Sequence, residues 1–175
     1  MDVDIEYEFD LEPITDTDYQ CSKHIIEWLK GNMENIEDSA GHKLFSKVNL
    51  GYNESTIKGF GKKPVCDVYI NNITYGSDLS HNIPDNVTSY IICYLKGNMN
   101  NIYLKACELT DYLIQEFNDN DEFRRLTLTR VVDKETIITN IVRDTFIRDV
   151  RLRIIPQGKA YGVLCAFELE HELIK

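Results

Sequence analysis

The chain has 175 residues, 43% of them hydrophobic, with 29 acidic against 19 basic side chains and a formal net charge of -10. A chain this long buries roughly 70% of its unfolded surface and needs no disulfide or metal staple to hold a core. Its negative charge repels phosphate backbones and anionic lipid, which excludes tight binding to nucleic acid or acidic membranes. The cysteines Cys21, Cys66, Cys93, Cys107 and Cys165 are odd in number and mostly lie in apolar runs. The expectation is reduced core thiols in a cytosolic compartment. No apolar run reaches membrane-span length, and the N-terminal "MDVDIEYEFDLE" is acidic where a signal peptide is basic.

In chain order, residues 1–17 read as an acidic extension and residues 18–175 as one domain. Cys21, His24, Ile25, Trp28 and Leu29 recur at helical spacing, with Asp16, Thr17 or Asp18 as cap, and Gly31 is expected to stop that helix. "HKLFSKVNL" alternates with the period of a strand. "GYNESTIKGFGKK" is polar and holds three glycines, which suits a long hairpin tip or mobile loop. "PVCDVYI" predicts a strand opening at Pro64, and a loop over 71–86 leads to a strand at Val87–Leu95.

In "NNIYLKACELTDYLIQEFND" the residues Ile102, Ala106, Leu109, Leu113 and Phe117 share one helical face, with Asn100 or Asn101 as cap and "DNDEF" as terminator. Residues 125–145 fit strand or helix. Farther on, Phe146, Val150, Leu152 and Ile154 alternate with charged residues, "PQGK" turns, and Tyr161, Val163, Cys165, Phe167 and Leu169 share a face. The sum predicts an α+β fold: a mainly antiparallel sheet packed by two helices, with a long β-hairpin arm.

One stretch occurs nearly twice. "IIEWLKGNMENI" (Ile25–Ile36) and "IICYLKGNMNNI" (Ile91–Ile102) differ only at Glu27/Cys93, Trp28/Tyr94 and Glu34/Asn100. The flanks do not align, so this is no structural repeat. A helical stripe precedes the first copy and a β-branched run the second, which predicts helix for Ile25–Leu29 and strand for Ile91–Leu95.

Catalytic motifs fail one by one. "GFGKKP" lacks the hydroxyl that follows the lysine of a phosphate loop, because Lys63 stands there. "HELIK" has Lys175 where a zinc-protease helix needs its second histidine, and reads as a strand end. "DNDEF" lacks the third ligand and the glycine of a calcium loop. His24, His42, His81 and His171 show no nucleophile–base spacing, and His24 beside its apolar stripe reads as a packed, hydrogen-bonded residue. The expectation is no enzyme, and no catalytic, cofactor or metal site.

The order of elements, with "FGKKPVCDVYI", the helix "LKACELTDYLIQEF" and the closing "RDVRLRIIPQGKAYGVLCAFELEHEL", resembles the tail terminator or tail-completion proteins of long-tailed bacteriophages and phage-tail-like particles. That resemblance implies a structural virion protein, assembled in the host cytoplasm and located at the tail neck. Its subunits would close into a ring, commonly a hexamer, on the head-proximal end of the tail tube, stopping polymerisation and offering a surface to the head.

The implied partners are further copies of the chain, the tube protein, the sheath protein where there is a sheath, and the head connector. DNA would pass through without being gripped, and no membrane is involved. An acidic channel and the covering of open sheet edges by head-to-tail neighbours agree with this. Candidate contact residues are Tyr52, Ile57, Phe60, Lys62 and Lys63, since a glycine-punctuated loop carrying Ile57 and Phe60 otherwise exposes apolar side chains. The acidic extension departs from the family pattern and reads as a solvated tail or as an arm reaching a neighbouring subunit. The competing readings are a head-completion or head–tail adaptor ring, and a small bacterial α+β ligand-binding module.

Overall fold

The computed structural model of the chain describes residues 21–51, 63–75, 85–132, 134–157 and 160–174. Its elements are α1 (Cys21–Asn35), β1 (Lys47–Leu50), β2 (Val65–Thr74), β3 (Asn86–Gly97), α2 (Met99–Asp119), α3 (Asp121–Arg124), β4 (Leu126–Val132), β5 (Glu135–Gln157) and β6 (Ala160–Leu173). The strands form one sheet in the order β1-β2-β3-β6-β5-β4, antiparallel throughout except for β1 beside β2. The fold is α+β.

Both long helices pack on one face of this sheet. On α2, Ala106, Leu109, Leu113 and Phe117 are buried at spacings of three and four, the stripe that faces a core. Cys165 on β6 points at this helix, its Sγ 3.7 Å from the Ala106 carbonyl. Helix α1 buries Ile25, Leu29 and Met33, and sets Trp28 edge-on to His171 with ring centroids 5.8 Å apart. Cys165 and His171 are an even number of residues apart on one strand, so both helices meet the same side. Phe117 meets Phe123 and Phe167 edge to face at 5.1 and 5.4 Å, and each such pair contributes about 1 kcal/mol beyond its buried area.

The two near-identical stretches take different structures, Ile25–Leu29 within α1 and Ile91–Leu95 within β3. Gly31, however, does not end α1, which continues to Asn35. A mid-helix glycine costs about 1 kcal/mol, whereas burying Met33 two residues on returns about 2–3 kcal/mol, so the core carries the helix past it. At α2 the cap is Asn98, whose side chain accepts from the Asn100 N–H at 3.3 Å, two or three residues earlier than the asparagines expected from the sequence. "DNDEF" does more than terminate: Asn120 ends α2 and caps α3, a third helix of one turn.

Other expectations shift with register. The ambiguous segment 125–145 is strand, β4 and the start of β5. β1 is only four residues long, and it runs parallel to β2 with Lys47 opposite Val65 and Leu50 opposite Val68. Adjacent parallel strands are not the two legs of one hairpin, so β1 and β2 do not supply it, and the stretch expected as the hairpin arm, residues 52–62, lies outside the described residues. A register shift between Ile147 and Asp149 also moves Phe146 off the face of Val150, Leu152 and Ile154: Ile147 opposes buried Leu169, and Phe146 opposes Glu170.

Candidate functional site

Of the predicted contact residues, Tyr52, Ile57, Phe60 and Lys62 lie outside the described residues, and only Lys63 is described. Lys63 is exposed, with Nζ donating to the Lys43 carbonyl at 2.6 Å, just before Pro64 leads into β2. It lies at the start of β2, the end that β1 covers, whereas the far end of the same strand is left uncovered. β1 pairs with β2 only from Val65 to Val68, so from Ile70 to Thr74 no strand lies outside β2 among the described residues. Apolar side chains gather along this side: Leu50 is 51% exposed, Ile73 38% and Tyr75 54%. Deeper in, the Asn49 side-chain amide donates to the buried Asp67 carboxylate at 2.8 Å and fixes β1 on β2.

Lys63 also borders an open groove of about 490 Å³ between the first turns of α2, the end of β3 and the segment before β1. Leu44, Pro64, Leu95, Ile102 and Leu109 give the groove an apolar lining, while Lys63, Lys96 and Lys105 stand with Asp38 and Glu108 among its polar residues. Lys105 is already paired with Glu108. The backbone N–H groups of His42 and Ala40 bind the Asp38 carboxylate and, with help from Lys63, hold it below the usual carboxylate range.

The sheet face away from the helices is charged. Glu168, Glu170 and Glu172 alternate with buried residues along β6 and meet β5 arginines: Arg148 pairs with Glu170 and Arg143 with Glu172. The Tyr90 hydroxyl donates to Glu168 at 2.7 Å, and the carboxylate pushes the phenol pKa up. Exposed pairs of this kind contribute about 0–1 kcal/mol each, so they set surface potential more than stability.

Two buried arrangements had no signal in the sequence. Cys66, Cys93 and Cys165 lie side by side on β2, β3 and β6, all buried free thiols. Burial pushes Cys93 well above the ordinary thiol range and Cys165 up to about 12, so both stay protonated and unreactive. Among the described residues no cluster of histidine, cysteine and carboxylate side chains is arranged to hold a metal.

The second arrangement centres on His171, which is fully buried between Ser89 Oγ, 2.7 Å from Nε2, and Thr145 Oγ1, 2.9 Å from Nδ1. Thr145 also donates to the Arg124 carbonyl at 3.2 Å, and a carbonyl only accepts. The threonine hydrogen is therefore committed, so His171 Nδ1–H donates to the threonine oxygen and Nε2 accepts from Ser89. The ring is neutral, and burial lowers its pKa to about 3. The Ser–His pair resembles a nucleophile and base by distance alone, but Ser89 and His171 are both sealed in the core with no surface for a substrate. Near it Arg124 clamps Asp144 through two hydrogen bonds of 3.0 and 2.9 Å. His24 differs from its expectation: its Nε2 is buried with no hydrogen-bond partner among the described residues.

No protein-family model matches the chain, and no curated protein matches it.

Proposed function

We propose that the protein is a structural ring subunit, a tail terminator that caps the head-proximal end of a phage tail tube or of a related particle. The observation that carries this reading is the β1–β2 edge, where Leu50, Ile73 and Tyr75 are exposed beside strand backbone without a neighbouring strand among the described residues. Apolar side chains next to an open strand edge call for a partner, and a head-to-tail contact repeated around a closed ring supplies one to every copy. Residues 52–63, the candidate contact segment, join the two strands of that edge. The net charge of -10 suits a channel through which DNA slides without being held.

The test mixes the protein with polymerising tube protein. Tube length should become limited as the protein is added, with the protein seen by electron microscopy at one end only. Replacing Ile57 and Phe60 together with serine should weaken capping while the far-ultraviolet circular dichroism stays unchanged. Coating along the whole tube, or appreciable binding of duplex DNA at physiological salt, contradicts the reading. If the protein bound only the head connector, it would be an adaptor ring instead. The groove beside Lys63 favours a second reading, a ligand-binding module, which would reveal itself by a bound metabolite in protein purified from its host.

A further inference from the structure

The second open edge of the sheet belongs to β5. β4 pairs with β5 only from Glu135 to Val142, while β6 occupies the other side from Val142 to Gln157. Arg124 fills the outer side as far as Asp144 and Thr145. From Phe146 to Gln157 no strand runs along the outer edge among the described residues. The pleat sorts the side chains of this edge. Val150, Leu152 and Ile154 oppose buried Phe167, Cys165 and Val163 on the helix side, while Arg151 and Arg153 point to the opposite face. Leu152 and Ile154 stay 36% and 41% exposed even though they share the core face. Arg153 has no carboxylate partner among the described residues.

Residues 2–12, "DVDIEYEFDLE", have the complementary pattern. Every even position is Asp or Glu, and the odd positions are Val3, Ile5, Tyr7, Phe9 and Leu11. Strict period-two alternation is a strand signal, and here it separates an acidic face from an apolar one. We propose that residues 2–12 add as a further strand along the outer edge of this chain's own β5, with the apolar face over Leu152 and Ile154 and the acidic face beside Arg151 and Arg153.

Lengths agree: the segment extends about 36 Å, and the open edge about 40 Å. Reach also agrees. The Trp28 ring centroid lies 5.8 Å from that of His171, whose Nδ1 is 2.9 Å from Thr145 at the start of the edge. Cys21 begins α1 seven residues before Trp28, about 10 Å along the axis, and residues 13–20 span up to about 27 Å. Entering at the Thr145 end, the segment runs antiparallel to β5. A tether this short sets an effective concentration in the millimolar range, which favours the chain's own edge over a neighbour's. The placement does not depend on the ring reading.

Hydrogen exchange on the full-length protein tests it, read by mass spectrometry of peptides covering residues 2–12 and 146–157. Residues 2–12 should exchange at least about tenfold more slowly than an unstructured peptide of the same sequence. Tyr7→Pro, which removes a strand N–H outside the folded core, should release that protection and also speed exchange in residues 146–157. Free exchange of residues 2–12 together with no response of β5 to Tyr7→Pro would mean a solvated tail and overturn the proposal. Protection confined to a dimer fraction on size exclusion would place the strand on another copy's edge, and equally overturns it.

Discussion

Acidification should destabilise this protein through a single buried ring, and the size of the effect follows from the structure. His171 titrates at about 6.5 in the unfolded chain and at about 3 in the fold, where burial opposes the charged form. A folded pKa below the unfolded one means that the neutral ring favours folding. That stability is fully present above pH 6.5 and is lost as the pH falls from 6.5 towards 3. Each pH unit removes about 1.4 kcal/mol, so pH 4.5 costs about 2.7 kcal/mol against a total stability of about 5–15 kcal/mol for an ordinary domain.

Carboxylates titrate in the same range, so the measurement is a difference. Urea unfolding of the wild type and of His171→Gln at pH 7.5 and 4.5 should show the wild type losing about 2.7 kcal/mol more than the variant. Glutamine keeps one donor for Thr145 and one acceptor for Ser89 without a titrating proton. Should the variant fail to fold, nitrogen-15 spectra of wild-type His171 decide alone: the ring should show the Nδ1–H tautomer and no titration between pH 8 and 4.5. A midpoint near 6.5, or the Nε2–H tautomer, would refute the reasoning.

Asn98→Ala should cost about 1 kcal/mol in urea unfolding, because Asn98 caps α2; an unchanged midpoint would mean that the cap does nothing. Gly31→Ala should stabilise the protein by about 0.5–1 kcal/mol, since nothing lies within 4 Å of the added methyl in mid-helix; destabilisation would show that α1 stops there after all. Arg124→Gln should raise the Asp144 pKa, which the Arg124 clamp now holds below 3.8. The stability this provides is present above pH 3.8 and fades as the pH falls through the folded value, so the variant's stability should depend less on pH at the acid end, measured by unfolding between pH 5 and 2.

Where local pattern and core agree, the sequence was readable. The α2 stripe from Ala106 to Phe117, the alternation of Val163 to Leu169 and the opposed conformations of the twin stretches all appear as expected, because each side-chain period matches the burial it produces. Misreadings arose where one residue type speaks for a position that tertiary packing decides. Gly31 carries a stop signal that buried Met33 overrides, and Phe146 keeps the alternation on paper while a bulge turns it to the other face.

The rest was invisible for a different reason. Ser89, Thr145 and His171 are separated by 26 residues or more, and the cysteine rung spans three strands, so only pairing register brings them together. Of the candidate contact segment, Lys63 alone is described, and the uncovered far end of β2 follows from a short parallel β1, which no local pattern announces.

The strand order has a consequence for how the protein is made. β6, which leaves the ribosome after the other five described strands, sits in the middle of the sheet and joins β1-β2-β3 to β5-β4. Until it emerges, the nascent chain holds two separate sheet fragments, and β3 presents the whole edge that β6 will later cover. At about 5–20 residues per second, the 76 residues between Gly97 and Leu173 keep that edge waiting for roughly 4–15 s. A chain stalled anywhere in this interval therefore carries an aggregation-prone strand edge and lacks the element that would seal it, which makes the fourteen-residue β6 the step that commits the whole sheet at once.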